Sequence, residues 1–513
     1  VNFEEYQTEA ATIDRPATPS SEMDPHILAD FKALLAATPR WKPPETVLVL
    51  QNSRPRTIAE AFEENSGVRH KYNSKDGWSI FSNDKYQKVE DPDEIEVYLR
   101  RFLGEIMVEK VTKEGPKQTH YESSPSKIKN LMGEIRSLED VHLMPGQNAP
   151  QSITGQLDPN KVIALNNGLL DWSVYPYKLH SHTPDFYTFN YLPFKWEGEQ
   201  HSDMWIQFLH DTVNSDVEKF ELLQMYIGYC LLLHYTGKGY FLLIKGEADT
   251  GKSVFVDTIT HLFGNGNVSA VSLEDFNDKH MMYDAYGKYV NVSDESPESF
   301  SDKAVENTLK KYTGGTQFHF KAMYRAAFSA YPTAKLIMAT NNRPAFSDTS
   351  EGVWTRLRYL EFNKVVAAKD QDRQLTQKLI ATEMPGILKW AVDGARKFIA
   401  NGYKLPIPES SREAMDEYRR ESCPELGFME DNFKECDAEN TDLSITCDMF
   451  RNCYEQWCKK EGIGARKMKT IKITMGKTFP KHCRKQRQRN GELKYYYCGI
   501  QLKRESEFYV DTF

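Results

Sequence analysis

The chain has 513 residues, of which 40% are hydrophobic and 27% charged, and its formal net charge is −8. This length exceeds one compact core and predicts roughly two to four domains, while the composition excludes a disordered chain. The longest apolar run, Met225 to Tyr235, is about half of what a bilayer crossing needs, so a buried helix is the expectation and no membrane partner is implied.

Residues 1–45 are rich in Thr, Pro, Ser, Ala and Glu and read as a mobile lead-in. No secretory signal opens the chain, and its start at Val1 rather than Met suggests that upstream residues have been removed. Residues 46–235 mix strands and helices and read as one N-terminal domain. "DPDEIEVYLRRFLGEI" predicts an amphipathic helix with Asp91 or Asp93 at its start. "KVIALNNGLLDW" predicts a strand, a turn and a second short strand, and 215–235 a helix feeding directly into the strand and glycine-bounded loop beyond it. His180-x-His182 has metal-like spacing but no accompanying ligands, so a loop role is the reading. Asp91-x-Asp93 sits where acids cap helix N–H groups, and no primase constellation comes after it. A primase domain, if the native protein has one, is expected upstream of Val1.

Residues 236–403 alternate short apolar strands with helical segments, the pattern of a mostly parallel α/β sheet. At its head stands "YFLLIKGEADTGKSVFVDTI". Gly246-x4-Gly251-Lys252-Ser253 satisfies the phosphate-loop pattern, preceded by a strand at 240–244 and followed by a helix with Val256, Ile259 and Phe263 before a stopping Gly264. In such a loop, Gly246, Glu247, Ala248, Asp249, Thr250 and Gly251 turn backbone N–H groups toward phosphate oxygens, and the helix N-terminus adds positive potential. Lys252 supplies a point charge to the β/γ-phosphates of ATP, and the Ser253 hydroxyl ligates Mg2+. "KYVNVSDES" predicts a strand ending in Asp294-Glu295, with Asp294 orienting magnesium and Glu295 polarising the attacking water. "KLIMATNN" predicts a strand with Asn341 at its tip, an amide placed to hold that water. "GVWTRLRYLEF" places Arg356 and Arg358 before a further strand, where an arginine can cross a subunit boundary toward developing phosphoryl charge.

A Pro/Ser linker at 404–411 leads to a basic domain at 413–513. Thirteen Lys or Arg stand against one acid, Glu492, between Gly464 and Arg504, and a local basic face matters more for DNA than the chain total. "DMFRNCYEQWCKKEG" predicts a helix burying Phe450, Cys453, Tyr454 and Trp457. A second basic helix and a hairpin turning at Asn490-Gly491 complete a winged-helix-like pattern suited to duplex DNA. The scattered cysteines, without close CxxC pairs, predict reduced thiols and an intracellular setting.

In order and spacing, the phosphate loop, "VSDES", "LKKYTGGTQFHFKAMYRAAFSAYPTAKLIMATNNRP" and "GVWTRLRYLEF" resemble the superfamily 3 helicases, hexameric AAA+ proteins of small DNA viruses, poxviruses, phages and plasmids. The stretch "NNGLLDWSVYPYKLHSHTPDFYTFNYLPFKW" is similar to the domain preceding this helicase in poxvirus-type and phage-satellite-type primase-helicases. The resemblance covers roughly 60 to 504. It implies an α/β AAA+ P-loop core, Lys252 and Ser253 at phosphate and magnesium, Asp294 and Glu295 as the acidic pair, and Asn341 as sensor. It also implies Arg356 as the trans arginine finger. Thr355 stands where many relatives have a second arginine, which leaves Arg358 as the alternative, and Thr316 replaces the usual acid after "TGG".

"FHFKAMYRAAF" suits the hairpin that such rings project into a central channel, with Lys321, Tyr324 and Arg325 near its tip to meet phosphate, sugar or base. The leading expectation is an ATP-driven replicative DNA helicase that moves on single strands as a homo-oligomeric ring, taken as a hexamer. The alternative is a DNA-binding replication initiator or loading factor that uses ATP without processive unwinding.

Overall fold

The structure, a computed structural model, describes residues 47–113, 115–143, 149–294, 303–323, 326–344, 346, 351–439, 444–489 and 492–508. The lead-in at 1–45, Glu295, Tyr324, Arg325 and the Asn490-Gly491 turn lie outside the described residues, and of Asp294, Glu351, Arg487 to Arg489 and Glu492 only the backbone is described. The chain divides into two units, Val1–Asn148 and Ala149–Phe513, so the break falls inside the segment 46–235 read as one domain.

In the first unit, helices Pro55–Asn65, Asp93–Glu105 and Pro125–Ser137 bury Phe62, Leu99, Phe102, Ile128 and Ile135. A meander of Arg69–Asn73, Gly77–Ser82 and Lys85–Lys88 supplies Trp78 and Ile80 to the same core. The helix at Asp93 carries three acids in its first turn, and the Asp91 carboxylate accepts from the Asp93 N–H at 2.9 Å. Both are what a helix N-terminus favours: Asp91 takes the capping role, and Asp93 stands as an acid of the first turn.

The second unit is built on a five-stranded parallel sheet: β1 (Phe241–Lys245), β2 (Val268–Ser269), β3 (Val290–Asp294), β4 (Lys335–Thr340) and β5 (Leu357–Glu361), in the order β2-β3-β4-β1-β5. Strands covered on both faces should read as continuous apolar runs, and "FLLI" and "KLIMAT" are buried throughout. Leu242, Ile244, Ile337 and Leu360 face one hydrophobic core, while Phe241, Leu243, Met338 and Tyr359 face another. Helices α1 (Val217–Cys230), α2 (Lys252–Phe263) and α3 (Met384–Ala400) cover the first face, and α4 (Glu409–Ser422) sends Tyr418 into the second.

Asp216 caps α1 through its carboxylate, accepting from the N–H groups of Glu218 and Lys219. The helix expected over 215–235 ends at Cys230, because Leu231 and Leu232 close tighter three-residue turns onto Gly228 and Tyr229. Ten residues of turn, rather than a direct feed, then separate it from β1. Crossing α1 closely, α3 leaves no room for a side chain at either Gly228 or Gly394: a Cβ on the first would strike the Ala395 backbone, and one on the second the Gln224 carbonyl.

The segment 404–411, read as a linker, is fixed in place. Leu405 is buried, Glu218 accepts from the Glu409 N–H at 2.7 Å, and α4 begins at Glu409. From there α5 (Pro424–Asn432), α6 (Cys447–Lys460) and α7 (Met468–Thr478) pack around Phe428, Phe450, Tyr454, Ile471 and Met475. Strands Cys483–Arg489 and Glu492–Cys498 form an antiparallel hairpin, with Ile445–Thr446 on its other edge. On α6 the buried face runs through Cys458, and Trp457 sits at its rim, half-buried and stacked on Tyr454, because the position four after Tyr454 is the one turned inward. All eight cysteines are free thiols. Among the described residues no helix is long and apolar enough to cross a membrane.

Candidate nucleotide site

The loop joining β1 to α2 is held from both sides. The Gly246 N–H donates to the Thr340 carbonyl of β4 at 3.1 Å, and the Phe362 N–H, just beyond β5, donates to the Lys245 carbonyl at 2.8 Å. A Cβ at Gly246 would lie 2.7 Å from the Phe362 carbonyl, so only glycine fits. Asp249 and Gly251 take φ of 60° and 90°, the left-handed conformations that curl the loop back over the start of α2. Thr250 is buried and donates to the Glu247 carbonyl at 2.9 Å, while Glu247, Ala248 and Asp249 are exposed.

No side chain caps α2, and no acid stands in its first turn. The first N–H groups of a helix need partners, so an uncapped N-terminus inside a closed loop has the donor set of an anion site. Lys252 folds its ammonium back to the Gly246 and Glu247 carbonyls at 2.6 and 2.7 Å. Partial burial lowers its pKa, against the pull of Glu247 and Asp249, and the two carbonyls hold the ammonium within the loop. Ser253 comes next, exposed on the first turn. The donors present suit phosphate, and a hydroxyl beside them suits a magnesium ion bound with it.

Register places the other expected residues. Asp294 pairs with Ala339, and Ala339 with Ile244, so the last residue of β3 stands level with the end of β1. Because β4 lies between β1 and β3, exposed Asn341 leaves the sheet between the phosphate loop and the acidic strand. Arg356 lies elsewhere. Leu357 pairs with Phe241, so Arg356 precedes the opposite end of the sheet, about 20 Å along the strands from Gly246. It bonds the Gly352 carbonyl. Arg358 is buried, donates to the Leu405 and Leu357 carbonyls at 2.8 Å, and lies 4.3 Å from the Tyr240 ring centre. Burial lowers its pKa to about 10. This binds Arg358 into its own chain and removes it as a reaching arginine.

Two residues enter that sequence reading passed over. Lys238 donates to the Thr355 hydroxyl at 3.0 Å, and its pKa is lowered by burial and by Arg356 and Arg358, so cations cluster at the end of the sheet away from the loop. Arg343, two residues past Asn341, pairs with Glu361 at 2.8 Å. The first was legible only as a charge in a Gly-rich turn, the second as an Arg-Pro at a strand tip.

The hairpin of Phe318–Phe320 and Phe328–Ala330 forms as expected. Its rings pack on Tyr286 and Tyr312 at centroid distances of 4.9 to 5.4 Å, and Lys321 leaves its first strand exposed.

Two known families match parts of the chain. Residues 58–214 match the family described as D5 N terminal like, and residues 244–356 match DUF5906, a family of unknown function. The second match opens within β1 and closes on Arg356, so it spans the loop, the acidic strand end, the hairpin and Asn341. The fold is similar to that of an A form apo structure of the NrS-1 C terminal region, at 11% identity and a TM-score of 0.50, over 88% of this chain and 100% of that one. A second A form apo structure of that region, spanning its residues 305–718, gives 11% identity and a TM-score of 0.50 over 87% of this chain and 100% of its own. The likeness is one of fold.

Proposed function

We propose that this chain is the helicase part of a viral, phage or plasmid replication protein of the primase-helicase type, an AAA+ ATPase that moves on single-stranded DNA as a ring, taken as a hexamer. One observation carries the reading: the phosphate loop, the end of the Asp294 strand and Asn341 converge at one end of the sheet, while Arg356 and Lys238 cluster at the other. A subunit so built keeps Arg356 away from its own γ-phosphate and presents it where a neighbour's site can receive it. The D5 N terminal like match and the NrS-1 fold likeness support the same placement.

In this reading Lys252 exchanges its loop carbonyls for the β/γ-phosphates of ATP, and the α2 N–H groups take the remaining oxygens. Magnesium bound with ATP would sit at Ser253 and Asp294 and neutralise phosphate charge. Asn341 holds a water in line, and Glu295 accepts its proton as the water oxygen bonds to the γ-phosphorus and the bond to the β-phosphate bridging oxygen breaks. Arg356 of the adjoining subunit meets the charge that develops. Lys321, Tyr324 and Arg325 then carry the stroke to the DNA strand, and the winged-helix-like module holds duplex through exposed Lys467, Lys469, Lys472, Arg484 and Lys485.

The test is strand displacement on a forked duplex, run beside ATP hydrolysis with and without single strands. Unwinding with DNA-stimulated turnover supports the helicase. The initiator reading rests on the basic C-terminal module. Duplex binding with weak hydrolysis and no displaced strand would select it instead.

A further inference from the structure

Arg343 spends its whole guanidinium on partners from two elements. Nε donates to the Tyr359 hydroxyl, Nη2 to Glu361 Oε1 and Nη1 to Glu421 Oε2, each at 2.8 Å, and Glu417 lies 3.6 Å from Nη2. Tyr359 and Glu361 belong to β5, and Glu417 and Glu421 to α4. The arginine side chain is only 16% exposed, and the rings of Tyr359 and Tyr418 flank it. Multiple charge-assisted bonds from a planar cation fix direction as well as distance.

The loop around it is fastened at neighbouring points. The Asn342 N–H donates to the Thr340 hydroxyl, which donates back to the Asn342 carbonyl. The Tyr418 hydroxyl donates to the Pro344 carbonyl, and the Cys423 thiol to the Phe346 carbonyl. Among the described residues of this clamp, Asn341 is the exposed one. On the far side, Arg466 donates to the Ser422 carbonyl at 2.8 Å and to Glu425 at 3.1 Å, immediately ahead of the basic helix α7. Two arginines therefore bracket the end of α4, Arg343 from the loop that carries Asn341 and Arg466 from the segment leading into α7.

We propose that Arg343 is a positioning residue that holds Asn341 against the nucleotide and, through Glu417 and Glu421, transmits nucleotide state to the C-terminal module, so that ATP and ADP set different affinities for duplex DNA. This rests on the ATP reading of the loop at 246–253. Glu417 and Glu421 are 66% and 55% exposed, so the α4 end of the linkage can be cut without opening the core.

The experiment uses the full chain. Binding of a fluorescent ATP analogue is measured first, then affinity for a blunt duplex oligonucleotide in the presence of a non-hydrolysable ATP analogue or ADP. The wild type is expected to differ about fivefold or more between the two nucleotides. Glu417→Gln/Glu421→Gln is expected to keep ATP binding and bring the two duplex affinities within about twofold of each other. Arg343→Lys keeps the charge but loses the planar donor set. It should lower kcat about tenfold with little change in KM, and combining it with Asn341→Ala should slow turnover no further than Asn341→Ala alone. A double glutamine variant that keeps the wild-type difference overturns the proposal. So does a wild type that binds nucleotide yet holds duplex equally in both states, and either result leaves the ATP reading standing. A wild type that binds no nucleotide overturns both.

Discussion

Arg356 and Gly246 stand at opposite ends of one parallel strand pair. The Arg356 carbonyl accepts from the N–H of Phe241, the first residue of β1, whereas Gly246 comes after the last. A chain folded this way cannot bring both to one phosphate. Lys252→Ala should weaken nucleotide binding about tenfold to a hundredfold and abolish hydrolysis, and Arg356→Ala should keep binding and lose turnover. Mixing the two inactive proteins should restore hydrolysis, because some interfaces then combine an intact loop with an intact arginine. Mixtures as inactive as their parts, with mixed assembly confirmed, would falsify the shared site.

Binding to duplex DNA should weaken linearly in log–log plots against salt, since exposed lysines and arginines release counterions when they meet phosphate. Lys472→Ala and Lys485→Ala, on α7 and the hairpin, should each reduce the slope by about one. An unchanged slope in both would remove this face from the interface.

Glu361 should leave a signature in acid. Burial alone would raise its pKa, but bonds from Tyr359, Arg343 and Asn363 outweigh it and hold the carboxyl at about 2, against an ordinary 4.5. A carboxyl lowered in the fold stabilises fully above its unfolded pKa and loses that contribution as pH falls toward the folded value. The window is therefore roughly pH 4.5 down to 2, and the contribution is at most on the order of 3 kcal/mol, since solvent screens part of it. Urea unfolding of Glu361→Gln should show a flatter stability profile across it.

Two glycines in helices should respond oppositely to alanine. Gly394→Ala drives a methyl into the Gln224 carbonyl and should cost about 1–3 kcal/mol or more. Gly427, in α5, has nothing nearer than Arg420 at 4.0 Å, so Gly427→Ala should gain about 0.5–1 kcal/mol from reduced backbone freedom. Urea midpoints measure both.

The local features were legible because their causes are local. The β1–loop–α2 unit lies within one residue of where its apolar run, glycines and Gly264 place it, and the two strands of the hairpin at 318–330 form from the strand–turn–strand pattern read there. Partnerships across distance were not legible. Nothing near Arg343 in sequence points to Glu361, Glu417 or Glu421, and nothing in "KLPIPESS" says that Leu405 will be buried beneath Arg358. The end of α1 at Cys230 was missed for a similar reason. Its apolar run continues to Tyr235, but turns at Leu231 and Leu232 redirect it, and Lys335 from β4 donates to the Leu232 carbonyl. The sheet order, which sets Asn341 between loop and acid, likewise comes from pairing that periodicity does not encode.

The rings beneath the hairpin have a mechanical consequence. Phe320 is fully buried, and Phe318 and Phe328 stand edge-on to tyrosines of the sheet's own core. A finger rooted so firmly bends little at its base. In the proposed ring, any step it imposed on a DNA strand would be the travel of the entire subunit, with a stride set by how far neighbouring protomers tilt.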